Sequence, residues 1–355
     1  DALFNQQAVQ HVLVRHEQGA VHAADGYARS SGKPGVVFVT SGPGATNSIT
    51  GLATAHMDST PVIVISSQVK AHLIGTDSFQ ETDMIGISRP IVKHSFLVQK
   101  AEDIPMIIKK AFHIATSGRP GPVVVDIPKN VTDPDYKFDY TYPKEVDIRS
   151  YKPVEEGHSG QIRRAAKLLL SAEKPVIYAG GGVIQNEASE ELVKLAKLLN
   201  FPVTNTLMGL GAYPATDEKF LGMLGMHGTY EANMAMNRAD LIVAIGARFD
   251  DRVTGRLDAF APEAKKIHID IDRASINKIV PVDLGIVGDC AEVLQQLVSA
   301  WGEREARDLT EWQARIAGWR ARHCLAYPQS SDAIMPQKSI ERLFALTRDR
   351  DPIIT

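Results

Sequence analysis

Val36-Val37-Phe38-Val39-Thr40-Ser41-Gly42-Pro43-Gly44-Ala45-Thr46-Asn47 decides the fold class. Its first five residues are β-prone and read as a strand over Val36–Thr40. They run into a Ser-Gly-Pro-Gly turn, and a helix is expected from Ala45. Working outward, Glu17–Ser30 places Ala20, Val21, Ala24, Tyr27 and Ala28 on one side of a helix, with a short strand, Val12–Val14, before it. Downstream, Pro61–Ser66 and Pro122–Ile127 read as further strands, with a helix over Ile104–Thr116 before the last. These strands are continuous apolar runs, as expected of a parallel sheet buried on both faces. Strands alternating with helices predict an α/β domain with right-handed crossovers.

From Thr132 to Pro153 the apolar periodicity fades into Asp, Tyr, Lys and Pro, the composition of a linker. A second α/β unit follows. Ile162, Ala165, Ala166 and Leu169 have helical spacing, and the strand Pro175–Ala179 leads into Gly180-Gly181-Gly182. The helix carrying Leu192, Leu195, Ala196 and Leu199 takes Ser189 as its expected N-cap. Strands are predicted at Leu241–Ile245 and Lys266–Ile271, and helices around Leu294–Trp301, Trp312–Trp319 and Pro336–Thr347. Asp1 is not an initiator Met, and Pro352–Thr355 reads as the start of a strand, so both ends predict a piece of a longer chain.

The 355 residues carry a net charge of −3, which argues against a nucleic-acid binder. Hydrophobic content of 44% and charged content of 23% are those of a globular protein rather than a disordered one. No apolar run reaches the length of a membrane span, and nothing at the N-terminus resembles a signal peptide. Two cysteines, Cys290 and Cys324, make no disulfide scaffold and point to a reducing compartment. None of the 11 histidines stands in a metal-ligand spacing.

Several positions carry chemistry beside a plainer reading. Glu17, at a strand-to-helix junction, is an acid favoured by a helix N-terminus, or a carboxylate held at the ligand-binding edge of a parallel sheet. The Ser41–Asn47 turn offers amides to an anion or is a plain tight turn; it fits neither the P-loop nor the dinucleotide fingerprint. Arg248-Phe249-Asp250-Asp251-Arg252 is a functional charge cluster or a surface salt-bridge network. Asp270 and Asp272, at a strand end, stand where an acid commonly meets a ribose hydroxyl. With the Gly180–Gly182 turn they make the second unit a candidate nucleotide site.

Taken together, these segments resemble the catalytic-subunit family of the acetohydroxyacid synthases, thiamine-diphosphate enzymes also called biosynthetic acetolactate synthases. The resemblance is carried by His16-Glu17-Gln18, Val39–Asn47, Phe79-Gln80-Glu81, Thr116–Val123, Gly225-Met226-His227-Gly228-Thr229 and Gly246–Arg252, and it runs over essentially the whole chain. It implies two doubly wound parallel-sheet domains: a pyrimidine-binding domain over 1–131 and, after a linker at 132–153, a central FAD-binding domain over 154–325. Residues 326–355 would be a linker and the start of a third, diphosphate-binding domain. The family's Gly-Asp-Gly…Asn motif, which holds Mg²⁺ and the cofactor diphosphate, is not among the 355 residues. The chain by itself is therefore expected to be inactive. Glyoxylate carboligase lacks the glutamate at the Glu17 position, and the FAD-free catabolic acetolactate synthases lack the Arg-Phe-Asp-Asp-Arg pattern. A non-catalytic FAD-binding protein stays open as a reading of this piece.

The resemblance also implies roles. Decarboxylation of pyruvate and joining of the two-carbon unit to pyruvate or 2-ketobutyrate would open valine, leucine and isoleucine biosynthesis. Glu17 would hydrogen-bond N1′ of the thiamine aminopyrimidine; Phe79 and Gln80 would lie beside the thiazolium; Lys129 would line the substrate channel. Arg252 would hold the second acid's carboxylate, and Met226 would also bind substrate. FAD contacts would come from Arg119, Gly180, Gly181, Thr206, Leu207, Met226, His227, Gly228, Thr229, Gly246, Arg248, Asp250, Arg252, Asp270, Ile271, Gly288 and Asp289. Also implied are a homodimer or homotetramer with the thiamine site at the subunit interface, a regulatory small subunit, and a place in the bacterial cytoplasm.

Overall fold

The computed structural model describes residues 2–350; the strand expected at Pro352–Thr355 lies outside them. The chain forms two compact units. The first holds the chain up to Gly157 with Ile271–Arg273 and Val287–Glu292; the second holds His158–Asp270, Ala274–Ile286 and the chain from Val293 on. Both are built on sheets of parallel strands with helices, doubly wound α/β architecture.

In the first unit, β1 (Gly35–Val39), β2 (Val62–Gln68), β3 (His94–Leu97) and β4 (Val123–Pro128) pair in the order β1-β2-β4-β3. Alternate strand residues point to opposite faces. On one face Val37, Val39, Val62, Val64 and Val124 meet Val21 and Ala24 of helix Glu17–Ser31 and Leu52 and Ala55 of helix Ile49–Met57. On the other, Ile63, Val123 and Val125 meet Ala111, Ile114 and Ala115 of helix Ile104–Thr116. Helix Glu17–Ser31 starts where the His16 ring nitrogen Nδ1 accepts from the Gln18 amide at 3.2 Å, and it stops at Gly32, which takes the left-handed conformation at φ 69°.

Two expectations fail here. Val12–Val14 is not a strand; Val12 is 87% and Leu13 83% exposed, and no neighbouring backbone pairs with them. Strand β1 is not buried on both faces. Its burial alternates because helix Ile104–Thr116 lies over β2, β3 and β4, leaving Phe38 59% exposed at the sheet edge.

In the second unit, β5 (Pro175–Ala179), β6 (Val203–Asn205), β7 (Phe220–Met223), β8 (Leu241–Ile245), β9 (Lys265–Asp270) and β10 (Leu284–Val287) follow the order β10-β9-β8-β5-β6-β7. The first strand of the unit sits in the middle. The chain winds outward through β6 and β7, returns to β8 beside β5, and winds outward the other way. The switch point therefore lies between β5 and β8, both buried along their whole length. Ser189 is the first helical residue of Ser189–Leu199; the cap position belongs to Ala188, and no side chain caps that end.

Candidate active site

Glu17, the Ser41–Asn47 turn, Phe79, Gln80 and Lys129 gather at the carboxyl edge of the first unit's sheet. Glu17 opens its helix there, half-buried, and Oε2 accepts from Asn47 Nδ2 at 3.0 Å. That amide bond, joined by one from its own backbone N–H, holds the Glu17 carboxyl below the usual carboxylate range. The turn after β1 supplies the space. A Cβ on Gly44 would fall 2.7 Å from Thr40 Cγ2 and 3.3 Å from Glu17 Oε1, so a side chain there would displace the carboxylate.

Gly42, at φ 62°, brings in a second segment. Its missing Cβ would lie 2.8 Å from the Gln80 carbonyl oxygen and 2.9 Å from Gln80 Cα. Gln80 itself is held in the left-handed region at φ 61°, beside Phe79, which is 89% exposed. The Gln80 loop is tied to itself by Glu81, whose carboxylate accepts from the Gly75 amide and, at 3.0 Å, from the Ser78 amide. These bonds pull the Glu81 carboxyl below its ordinary range. Lys129 follows β4 at the same edge, exposed, while its neighbour Asn130 accepts from the Ala71 amide at 2.7 Å.

Three residues that the sequence reading left without a role stand behind this edge. Asn47 is the partner of Glu17. Gln68 and Asp126, 6% and 1% exposed, close β2 and β4 from within. Gln68 Nε2 donates to Asp126 Oδ2 at 3.0 Å and to the Thr82 carbonyl at 2.7 Å, while Gln68 Oε1 accepts from the Val69 amide at 2.9 Å. Asp126 Oδ1 is buried without a hydrogen-bond partner. The signal was present in the sequence as one acid inside Val-Val-Val-Asp-Ile-Pro.

Burial pushes the Asp126 carboxyl up to about 6, the Asp83 charge adding to this against the hydrogen bonds that favour its ionised form. The folded chain therefore holds this proton more tightly than the unfolded one. Its contribution is full below the unfolded value of 3.8 and is lost as pH rises through about 6. Asp126→Asn, neutral at every pH, is expected to raise stability at pH 7.5 by on the order of 2 kcal/mol, with the gain vanishing near pH 4. Urea unfolding at the two pH values measures it; an equal effect at both would show that the charge is not the cause.

Arg119 lies at the opposite, amino edge of the same sheet. Its Nε donates to Ser59 Oγ at 2.7 Å and its Nη1 to Asp272 Oδ2 at 3.3 Å. With Lys93, Tyr151, Ile271 and Asp272 it lines a cavity of about 360 Å³. Lys93 donates to the Ile114 carbonyl, to the Ser117 carbonyl at 2.8 Å and to Tyr151 Oη at 2.9 Å. Burial lowers its pKa to about 8, the Arg119 charge adding to the shift and Asp272 opposing it. Gly288 and Asp289 also belong to this unit; the Asp289 amide donates to the Glu155 carbonyl at 2.7 Å.

In the second unit the predicted residues share the carboxyl edge around the switch point. Gly180 and Gly246 interlock backbone to backbone: a Cβ on Gly180 would lie 2.2 Å from the Gly246 carbonyl oxygen. Gly181 faces Met208, and Thr206 Oγ1 accepts from the Gly209 amide at 2.9 Å, leaving Leu207 69% exposed. The Met226 amide donates to the Arg252 carbonyl at 2.8 Å, joining the Gly225–Thr229 loop to the charge cluster, and Thr229 caps helix Tyr230–Arg238.

The cluster after β8 is built around one buried ring, with Arg248, Asp251 and Arg252 exposed around it. Phe249, at φ 55° and 2% exposed, stands edge-on to Tyr178, Phe260 and His268, at ring separations of 5.6, 6.1 and 5.0 Å. His268 Nε2 lies 2.9 Å from the Ala247 carbonyl. This aromatic anchor holds the backbone between Arg248 and Asp250. Arg248 pairs with Asp250, whereas Arg252 keeps its side chain 69% exposed and its Nε 3.7 Å from Asp251. Asp270 closes β9 at the same edge.

Among the described residues no cluster of three or more His, Cys, Asp or Glu side chains could hold a metal ion, and no helix is long and apolar enough to cross a membrane. Residues 1–87 match the N-terminal TPP binding domain of the thiamine pyrophosphate enzymes, and residues 162–297 match their central domain. The acetolactate synthase large subunit of Haemophilus influenzae is 56% identical over 351 residues, 98% of this chain and 61% of its own length. The isozyme 3 large subunit of Escherichia coli is 55% identical over 352 residues, again 98% and 61%. An acetolactate synthase of Mycobacterium leprae is 52% identical over 347 residues, 97% of this chain and 55% of its own. The chain thus spans about three fifths of the length of the curated relatives it matches. With two domains of one architecture matched in order, each falling on a parallel α/β unit, the chain belongs to the thiamine pyrophosphate enzymes, as a homologue of the acetolactate synthase large subunits.

Proposed function

We propose that these residues serve an acetolactate synthase, a transferase that decarboxylates pyruvate and joins the two-carbon unit to pyruvate or 2-ketobutyrate at the start of valine, leucine and isoleucine biosynthesis. The observation that carries the reading is Glu17: a carboxylate at the carboxyl edge of a parallel sheet, oriented by Asn47 and given room by Gly44. That donor set fits the aminopyrimidine of thiamine diphosphate, since a carboxylate can share a proton with a ring nitrogen. When bound, the cofactor supplies the nucleophilic carbon and electron sink that loss of CO₂ from a 2-keto acid requires. Glu17 holds that proton at its carboxylate, Gln80 and Phe79 border the reacting carbon, and Lys129 lines the approach.

FAD would be held by Arg119, Ile271, Gly288 and Asp289 of the first unit. From the second unit come Gly180, Gly181, Thr206, Leu207, Met226, His227, Gly228, Thr229, Gly246, Arg248, Asp250, Arg252 and Asp270. The cationic cavity of Arg119 and Lys93 and the polar carboxyl edge of β5 and β8 support this reading. Among the described residues no group of His, Cys, Asp or Glu side chains fits Mg²⁺. A homodimer or homotetramer, a regulatory small subunit and a place in the bacterial cytoplasm belong to the same proposal; two free thiols suit a reducing compartment.

The test is acetolactate formation from pyruvate by a chain of the relatives' full length supplied with thiamine diphosphate, Mg²⁺ and FAD. No product from the folded, cofactor-loaded protein would defeat the reading. Within it, Arg252 takes the second acid's carboxylate through its exposed guanidinium. Arg252→Lys keeps the charge but loses the planar fork. It is expected to lower the joining step, and the preference for 2-ketobutyrate, more than it slows CO₂ release. Single-turnover CO₂ release beside competition between the two acids, after a check that flavin is retained, measures the difference. An equal fall in both steps returns Arg252 to the structural charge cluster.

A further inference from the structure

Gln68 and Asp126 lie behind the Glu17 edge, and nothing in the chemistry proposed so far uses them. Their hydrogen bonds admit one arrangement. Gln68 Oε1 faces the Val69 N–H, a donor, while Nε2 faces the Thr82 carbonyl and the Asp126 carboxylate, both acceptors. Turning the amide over would set its oxygen against two oxygens and its NH₂ against an N–H. The carboxylate of Asp126 thus selects the orientation of Gln68, and Gln68 in turn grips Thr82.

Thr82 is two residues beyond Gln80, whose carbonyl and Cα rest on Gly42 with no room for a side chain between them. The loop before Thr82 is closed by Glu81 onto the Gly75 and Ser78 amides, which ties its two ends together. Its attachment at the Thr82 end is a carbonyl held by a side chain that is 6% exposed. A continuous path therefore runs from Asp126 on β4, through Gln68 at the end of β2, to the Gln80 loop and the Ser41–Asn47 turn that carries Asn47 and Glu17. Asp126 spends one oxygen on this path and leaves the other unpartnered in the interior, an arrangement that costs stability and needs a return elsewhere.

We propose that Gln68 and Asp126 are positioning residues: the buried carboxylate orients the Gln68 amide so that it pins Thr82, and this fixes Gln80 against Gly42 at the Glu17 edge. The part that concerns catalysis rests on the acetolactate synthase reading of Gln80; the part that concerns the loop does not.

Two measurements separate these parts. In the chain as it stands, Gln68→Ala is expected to lose hydrogen-exchange protection across Gly75–Thr82 while β2 and β4 stay protected. Asp126→Ala should do the same, and Asp126→Asn, which still offers an oxygen to Gln68, should restore protection. In a full-length enzyme, Gln68→Ala should lower kcat by about tenfold to a hundredfold and move KM for pyruvate by less than about threefold, because a misplaced catalytic segment weakens the reacting geometry more than substrate capture. Asp126→Ala should lower kcat to a similar extent, and Asp126→Asn, which still offers an oxygen to Gln68, should keep most of the wild-type value. If Gln68→Ala does not fold, Gln68→Met, of similar volume but without N–H donors, carries the same comparison. Unchanged exchange over Gly75–Thr82 in a folded variant would overturn the pinning, and altered exchange with unchanged kcat would overturn its catalytic use. A wild-type enzyme that makes no acetolactate would defeat the functional reading while the exchange result still decides the pinning.

Discussion

Replacing Glu17 by alanine in a chain of the relatives' full length is expected to lower acetolactate turnover by about 10²–10⁴-fold, the contribution of a positioned acid–base group. Glutamine at the same position should be nearly as damaging. Its amide oxygen can still accept from Asn47, so the local contact of 3.0 Å survives, but it cannot exchange a proton with a ring nitrogen. The pair therefore separates chemistry from architecture. Flavin should stay bound in both variants, because Arg119, the flavin residue proposed on the same sheet as Glu17, stands at that sheet's other edge. Turnover and bound flavin measured on the same samples decide the matter. Full activity in either variant, or loss of flavin in step with activity, would remove Glu17 from its assigned role.

Gly180→Ala is expected to destabilise the second unit by more than about 3 kcal/mol, enough to prevent a folded product at ordinary temperature. Gly180 has φ −108°, so alanine meets no backbone strain of its own. The conflict is with the backbone of the neighbouring strand's end. The new Cβ would lie 2.2 Å from the Gly246 carbonyl oxygen and 2.7 Å from Ala247 Cα, and neither can rotate aside. Relief requires β5 and β8 to part at the switch point, breaking the 2.9 Å bond from the Gly180 amide to the Ile245 carbonyl. Gly318→Ala is the control. It lies within helix Thr310–Arg320 with nothing within 4 Å of its Cβ, and it should leave stability unchanged or raise it by up to about 1 kcal/mol. Thermal unfolding of the two variants gives the contrast; equal behaviour would show that the glycine interlock is not needed.

What the sequence made legible follows from what each element buries. The central strands β2, β4, β5 and β8 lie between layers and carry apolar runs of at least three residues, so Pro61–Ser66, Pro122–Ile127, Pro175–Ala179 and Leu241–Ile245 announced themselves. Strands β3, β6, β7 and β10 went unread. His94–Leu97 has no fully buried residue, Val203–Asn205 is three residues long, and Phe220–Met223 and Leu284–Val287 each contain a glycine. Such strands are held by their neighbour's backbone rather than by an apolar pattern of their own. Glu17 was visible as an acid at a helix start, and its chemical role came from family resemblance. Its dependence on Asn47 needed coordinates, because 30 residues of chain separate the two. Gln68 and Asp126 escaped for a related reason: a polar residue inside an apolar run marks a hydrogen bond without naming the partner.

Glu17, Gln80 and Lys129 stand at one end of the first unit's strands and Arg119 with its cavity at the other. Strand β4, six residues long, sets that separation at about 20 Å. Across such a distance, at an effective dielectric constant of about 20, one unit charge changes the energy of another by only about 0.8 kcal/mol, before mobile ions reduce it further. An anion arriving beside Arg119 therefore leaves the protonation of Glu17 almost untouched. The length of the strands, not the substance of the sheet, keeps the two ends electrically apart, so charge at one can be altered over the course of evolution, or by design, with little retuning of the acid–base group at the other.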